Sequence, residues 1–240
     1  MRTILSLSLL LLSAASFAQS FQEEAKTERK TLSRSLDEVY EVFPTDKKAK
    51  VGPYKVIDDQ KHVLVMGTYK NGVKDSLWTY FDTWAEPIQQ YDFRNHKMIY
   101  VGLDSATIVH ARYTLDTRPA DTDDILPPYK IGGVNYGFYL LFDARDIPQE
   151  VKSGPDGASM SFVFDIDDKG QLKGWKVVFH GKQFNDIVQT KSLKGLPTDA
   201  YEFTPAMINN HPVNSHLTLW VSLDVNHVEA RGTNNIVTQH

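Results

Sequence analysis

Cysteine is missing from all 240 residues, so the chain has no disulfide, no thiolate metal site, no nucleophilic thiol and no residue for an acylated lipoprotein anchor. Long apolar runs are missing as well. After residue 18 no stretch approaches the roughly 20 apolar residues that a membrane-crossing helix takes. Positive charge is not in excess: 26 Lys and Arg face 30 Asp and Glu, giving −4 at pH 7. Without a basic stripe, nucleic acid is not an expected partner. A G-x-S-x-G elbow, a glycine-rich phosphate loop and a dinucleotide fingerprint are all absent. No catalytic, cofactor-binding or metal-binding residue is therefore assigned, and the chain is not expected to be an enzyme. A glycosidase carboxylate pair needs no local motif, so an envelope glycan hydrolase or carbohydrate-binding protein is the alternative.

What is present begins with an export signal. Arg2 supplies a positive start, residues 4–12 an apolar core, and Ser16-Phe17-Ala18 a small-x-small site before Gln19. Residues 1–18 are expected to be a cleaved signal peptide, cut near Ala18/Gln19, which places the mature chain in the periplasm or outside the cell. Removal takes away one basic charge, Arg2, and no acidic one, so the net charge moves from −4 to −5. No membrane span is expected after cleavage.

Residues 19–36 are charged and aperiodic and read as a flexible leader. Residues 37–115 change texture. Short β-branched and aromatic runs at 39–43, 54–57, 62–69, 77–81, 88–93, 98–101 and 107–115 predict an antiparallel meander. Asn71-Gly72 fits one of its tight turns, because both residues accept positive φ. Residues 116–128, rich in Pro and Asp, read as a linker. Asp121, Asp123 and Asp124 could touch a cation, but nothing fixes further oxygen ligands around them.

The second module spans residues 129–226, with a tail over 227–240. Phe138, Leu141 and Phe142 at helical spacing predict a helix over 134–144, ended by Pro148. Runs at 161–166 and 172–179, joined by Asp167-Asp168-Lys169-Gly170, predict a hairpin. A second helix is expected over 185–196. Residues 217–225 alternate Leu, Leu, Val, Leu, Val with Thr218, Trp220, Ser222 and Asp224, a clear strand period.

Metal chemistry finds little footing. Asp165-x-Asp167-x-x-Gly170 has the start of a calcium loop, but its twelfth position is Lys176 and not glutamate. His211, His216, His227 and His240 lack the i, i+4 helical pairing of a zinc motif. Trp78, Tyr80 and Trp84 could stack on sugar rings. Aromatics in a meander more often form its core, and Trp84, beyond the strand, is the best candidate for exposure.

Two stretches resemble known families. Gly67-x-Tyr69-x-Asn71-Gly72-x-Lys74-Asp75-x-x-Trp78-x-Tyr80 resembles a MORN-type repeat of bacterial YwqK-like proteins, with glycine in the family where Ser76 stands here. Gly52-x-Tyr54 and Tyr91-x-Phe93-x-Asn95 look like degenerate copies. Ile131-Gly132-Gly133, Asp146-Ile147-Pro148, Phe162-x-Phe164-x-Ile166-x-x-x-Gly170, Phe203-x-Pro205-Ala206 and Asn209-Asn210-x-Pro212-Val213 are similar, in that order, to the C-terminal domain of TonB. Asn210 stands where that family prefers glycine. The resemblances imply an α+β chain: a MORN-like meander followed by a small helix, β-hairpin, helix, strand domain. They also imply a non-catalytic envelope protein that binds a partner by strand addition in envelope transport. The partner would be an outer-membrane transporter or an assembly factor. The final strand is the expected edge, with Thr218, Trp220, Ser222 and Asp224 facing the partner.

Overall fold

The computed structural model describes residues 24–102, 111–141, 143–152, 158–182 and 184–222. The expected signal peptide, the tail over 227–240 and Asp224 lie outside these residues. Seven strands form the first sheet: Lys26–Ser33 (β1), Leu36–Phe43 (β2), Asp46–Asp58 (β3), Val63–Lys70 (β4), Val73–Phe81 (β5), Pro87–Asp92 (β6) and Lys97–Val101 (β7). Each pairs antiparallel with its neighbour in sequence, in the order β1-β2-β3-β4-β5-β6-β7. Turn chemistry explains part of that order. Asn71 and Gly72 both take positive φ, 52° and 78°, and close a two-residue hairpin between Lys70 and Val73.

One face of this sheet is an aromatic layer. Tyr54, Trp78, Tyr80 and Tyr91 are buried beside Val56 and Val65. Tyr54, Tyr69, Trp78 and Phe93 stand ring to ring at 5.0–5.3 Å, the range in which aromatic pairs attract beyond their buried area. Trp78 fits only because residue 67 is glycine: a Cβ there would lie 2.2 Å from the indole.

The chain continues as Ala111–Leu115 (β8), Ile125–Leu126 (β9) and Tyr129–Lys130 (β10), then the helices Gly133–Leu141 (α1) and Gln149–Lys152 (α2). Ser159–Ile166 (β11), Leu172–His180 (β12), Ile187–Thr190 (β13), Phe203–Thr204 (β14), Ala206–Ile208 (β15), His211–Val213 (β16) and Ser215–Ser222 (β17) complete it. The second sheet has the order β13-β12-β11-β17-β8, and β10-β14 and β16-β15-β9 are small ribbons beside it. Met160, Phe162, Phe164 and Ile166 of β11, with Leu217 and Leu219 of β17, are buried on one face. α1 is wedged between the sheets: Tyr136 meets Tyr80 at 5.9 Å and Phe138 meets Phe162 at 5.5 Å. Its Tyr136, Phe138, Leu140 and Leu141 are all buried, which places the helix inside the core.

Several expectations are corrected. The chain is mostly β and not a balanced α+β fold, with two short α-helices among the described residues. The helix expected over 185–196 is replaced by β13, which pairs with β12 from Phe179↔Ile187 to Lys176↔Thr190. Ile187, Val188 and Thr190 are β-branched, and the open edge of β12 offers them a backbone ladder that outweighs a weak helical pattern. The leader holds β1, paired with β2 from Lys26↔Val42 to Ser33↔Leu36. Its charges suit an edge strand, and Arg29 donates to Asp37 at 2.5 Å. The last strand expected in the first meander lies, as β8, in the second sheet beside β17; residues 107–110 of it are outside those described. The linker contains β9, held to Ile208 and Met207. Asn209 ties it further by donating to Asp123 at 2.7 Å.

Candidate functional site

The final strand has the face but not the position expected of it. Leu217 and Leu219 turn into the core while Thr218 and the half-buried Trp220 take the opposite face. β17, however, lies between β11 and β8: Ser215 to Leu219 have partners on both sides, from Ser215↔Leu115 to Leu219↔Ala111 and from Ile166↔Ser215 to Phe162↔Leu219. Ser222 pairs with Ser159. A strand enclosed this way cannot take up a partner's backbone along that length. Trp220 is met by the Arg112 guanidinium of β8, 5.3 Å from its ring, so a cation–π contact occupies the face that was assigned to a partner. The signal for this was not local: β8 comes from about a hundred residues earlier.

Among the described residues the open edges are β1 and β7 in the first sheet and β8 and β13 in the second. They are unlike. β1 carries Lys26, Glu28, Arg29 and Lys30, the charged composition that keeps an edge from pairing with other chains. β7 is Lys97-Met98-Ile99-Tyr100-Val101, with Ile99 and Tyr100 exposed and no charge after Lys97.

At the junction of the sheets lies a buried charge network. Lys74, on β5, donates to Asp199 at 2.7 Å and to Glu202 at 2.6 Å. Tyr136 of α1 donates to the other Asp199 oxygen at 2.6 Å. Lys130 donates to the carbonyls of Ile131, Asp199 and Glu202 at 2.8, 2.6 and 3.0 Å. Two of those carbonyls belong to or follow the short 3-10 turn Thr198–Tyr201, where the Asp199 carbonyl also accepts from the Glu202 N–H and the Glu202 carbonyl from the Ile131 N–H, so the ammonium adds a second donor to each. Gln89 closes the seam, donating to the Lys130 carbonyl at 3.1 Å and accepting from the Gly132 N–H at 2.5 Å.

The electrostatics follow from burial and pairing. Burial would raise the Asp199 carboxyl, but Lys74, Tyr136 and Lys130 outweigh it and hold it below the usual carboxylate range. Burial prevails at Glu202 and raises it. Burial likewise pulls the Lys130 ammonium down to about 8. Two ammonium groups lie beside two carboxylates: Lys74 bonds both carboxylates, and Lys130 bonds the carbonyls around them. This is a lock between sheets.

A second chain of polar groups has the order of a hydrolase triad. Ser161 lies 2.9 Å from Nε2 of His180, whose Nδ1 lies 3.0 Å from Asp186. Ser161 is 2% exposed in β11, with β12 and β17 on either side. An acyl carbon cannot reach that oxygen, so the chain acts as a tie between β11, β12 and the approach to β13.

The remaining candidates resolve simply. Trp78 and Tyr80 are core residues, whereas Trp84 is 84% exposed at the β5–β6 turn. Asp167 accepts the N–H groups of Lys169 and Gln171, the pattern of a hairpin turn. His216 sits between Asp165 and Asp116 at 2.7 and 3.0 Å, and His211 turns to the Asn209 carbonyl. Among the described residues no group of three His, Asp or Glu is placed to hold a metal, and no helix is long and apolar enough to cross a membrane. No family model, curated protein or solved structure matches the chain, and nothing in these comparisons identifies a TonB C-terminal or MORN-like family.

Proposed function

We propose that this chain is a non-catalytic periplasmic or cell-envelope interaction protein that binds an extended segment of a partner protein by strand addition. The observation that carries the reading is the contrast between edges: β1 carries four charges between Lys26 and Lys30, and β7 presents Met98, Ile99, Tyr100 and Val101 with no strand on its outer side among the described residues. An added strand would gain its affinity from the unpaired backbone of β7 and its specificity from Ile99 and Tyr100. The export signal at residues 1–18 and the resemblance to TonB C-terminal domains support an envelope partner such as a transporter or assembly factor. The edge proposed is β7 and not β17.

The test places a photo-crosslinking side chain at Ile99 of the full chain in its native envelope, with a control at Lys30 on β1. A discrete adduct is expected at Ile99 and not at Lys30. Tyr100→Lys, exposed and therefore compatible with the fold, is expected to abolish it, because an edge lysine opposes strand pairing. Equal yields at Ile99 and Lys30, or an adduct indifferent to Tyr100→Lys in a chain of unchanged circular dichroism, would discard the reading.

A further inference from the structure

We propose that Trp84 is a preformed docking anchor, inserting its indole into an apolar pocket, rimmed by basic residues, on a protein partner. Its exposure is the largest of any bulky apolar side chain among the described residues, 84% against 67% for Val73, the next. The turn that holds it is braced. Asp82 accepts the N–H groups of Trp84 and Glu86 through one carboxylate oxygen, both at 2.9 Å. The Ala85 N–H reaches the Asp82 carbonyl at 3.2 Å, and the Asp82 N–H reaches that of Glu86 at 3.0 Å. Ala85 is forced to φ 64°, a left-handed conformation that an alanine adopts at a cost. Strain and four hydrogen bonds thus hold a large apolar surface out in water. Backbone strain of this kind concentrates at binding sites, and Trp is over-represented among the residues that dominate interface energy. A rigid turn loses little entropy when it docks.

The chemistry of the turn selects the occupant. Asp82 and Glu86 bracket Trp84, and Glu86 is exposed. Two carboxylates beside the indole oppose an anionic lipid surface and favour a partner with Lys or Arg at the rim of its pocket. The anchor also lies beside the proposed edge. The Gly102 N–H, just past β7, donates to the Ile88 carbonyl at 2.8 Å, so a segment running along β7 would arrive at this turn. The inference rests on partner binding but not on strand addition.

The test follows acrylamide quenching of Trp84 in the full chain, with Trp84→Phe as the baseline. Trp78 and Trp175 are buried and Trp220 half-buried, so Trp84 dominates the quenchable emission. Three probes are added separately: detergent-solubilised envelope protein, vesicles of phosphatidylcholine with phosphatidylglycerol, and soluble peptidoglycan fragments. Shielding is expected from the protein alone, abolished by its protease digestion and weakened by Glu86→Lys. Trp84→Ala is expected to lower binding of the same extract by about 30-fold, the scale of an interface hot spot, with circular dichroism unchanged. Shielding by vesicles or glycan fragments, no shielding at all, or binding by Trp84→Ala within about twofold of the parent would overturn the anchor. Tyr100→Lys separates the two proposals: loss of binding in Trp84→Ala with retention in Tyr100→Lys removes strand addition and leaves the anchor standing, and the reverse pattern does the opposite.

Discussion

Every strand of the first sheet pairs with its neighbour in sequence, whereas the second sheet inserts β17 between β11 and β8 and so joins segments a hundred residues apart. The first sheet needs only short loops closed one after another, and its turns carry much of the instruction. The second must close long loops before its central strands are paired, and each closure costs entropy that only later contacts recover. The two are nevertheless one body. A single set of contacting buried residues runs from Leu36 and Trp78 through Tyr136 to Phe162 and Leu219. The lesson concerns stability: the non-local sheet is expected to depend on the junction more than the local one does.

Removal of Lys74 is expected to have the largest effect. Its ammonium joins the first sheet to Asp199 and Glu202, and its loss would strand two buried carboxylates. Lys74→Met is expected to destabilise the chain by about 3–5 kcal/mol, the scale for one partner taken from a buried ion pair. Urea unfolding would measure it. The triple variant with Asp199→Asn and Glu202→Gln should recover part of the loss, since the stranded charges go too. Hydrogen exchange should show β11, β12 and β17 opening before β2 to β5. Uniform opening would refute the dependence of the second sheet on the junction.

Two glycines sharpen the contrast. A Cβ on Gly170 would meet the Phe203 carbonyl oxygen at 2.2 Å with φ at +73°, and a Cβ on Gly67 would meet the Trp78 ring at the same distance. Backbone gives less than a side chain, and Gly170 has the left-handed conformation to lose as well. Gly170→Ala is therefore expected to cost more than Gly67→Ala, both within about 1–3 kcal/mol. Thermal unfolding of the two single variants ranks them, and the reverse order would mean that the aromatic layer of the first sheet is the stiffer of the two.

The first sheet was largely legible because its information is local. Tyr and Trp alternate toward one face, Asn71-Gly72 makes its turn, and the exposure of Trp84 followed from its place beyond a strand. β1 was missed because its charged residues look like disorder, although an edge strand tolerates them. In the second module the hairpin of β11 and β12 and the facing of Leu217 and Leu219 were legible. Its neighbours were not. Nothing in residues 185–196 says that β12 has a free edge, and nothing in the run from Leu217 says that β8 will pair beside Leu217, Thr218 and Leu219. The candidate site suffered most, since an edge is a property of the whole sheet and cannot be read from the strand alone. Lys74, Asp199 and Glu202 were missed for the same reason, being paired only through the tertiary fold.

Alkaline pH should act on the first sheet and on the junction together. Tyr54, Tyr69, Tyr80 and Tyr136 are held well above the ordinary tyrosine value of 10.0, chiefly by burial and then by the Asp199 charge. Above pH 10 the unfolded chain loses these protons and the folded chain keeps them, so their contribution to stability falls as pH rises. Lys130 works the other way. Its folded value near 8 lies below the ordinary lysine value of 10.5, so between those limits the folded chain releases its proton first and stability gains with pH. A shallow rise above pH 8 and a steep loss beyond pH 10 are expected in urea midpoints. Tyrosinate absorbance should appear for the buried rings only as the chain unfolds. Early ionisation would show that the aromatic layer admits water.

The smallest effect separates the two positions at which the resembling families carry glycine. Ser76, in the first sheet, has φ 61°, and Asn210, between β15 and β16, has φ 63°. Both positions therefore require the left-handed backbone that glycine adopts freely. Asn is among the residues that tolerate it, because its short polar side chain bonds locally, and Ser less so. Replacing Ser76 should thus relieve more strain, of roughly 1 kcal/mol. Against this, the Ser76 hydroxyl donates to Asp75 at 3.0 Å and accepts from Arg94 at 2.8 Å. Arg94 keeps its two bonds to Asp75 at 2.9 and 2.6 Å without it, so the lost hydroxyl contacts offset only part of the gain. Ser76→Gly is expected to stabilise by up to about 1 kcal/mol, and Asn210→Gly by a few tenths at most. Thermal midpoints of the two variants decide it. A gain at Asn210 that exceeds the gain at Ser76 would mean that the Ser76–Asp75–Arg94 contacts, and not backbone freedom, set the register of β5 against β6.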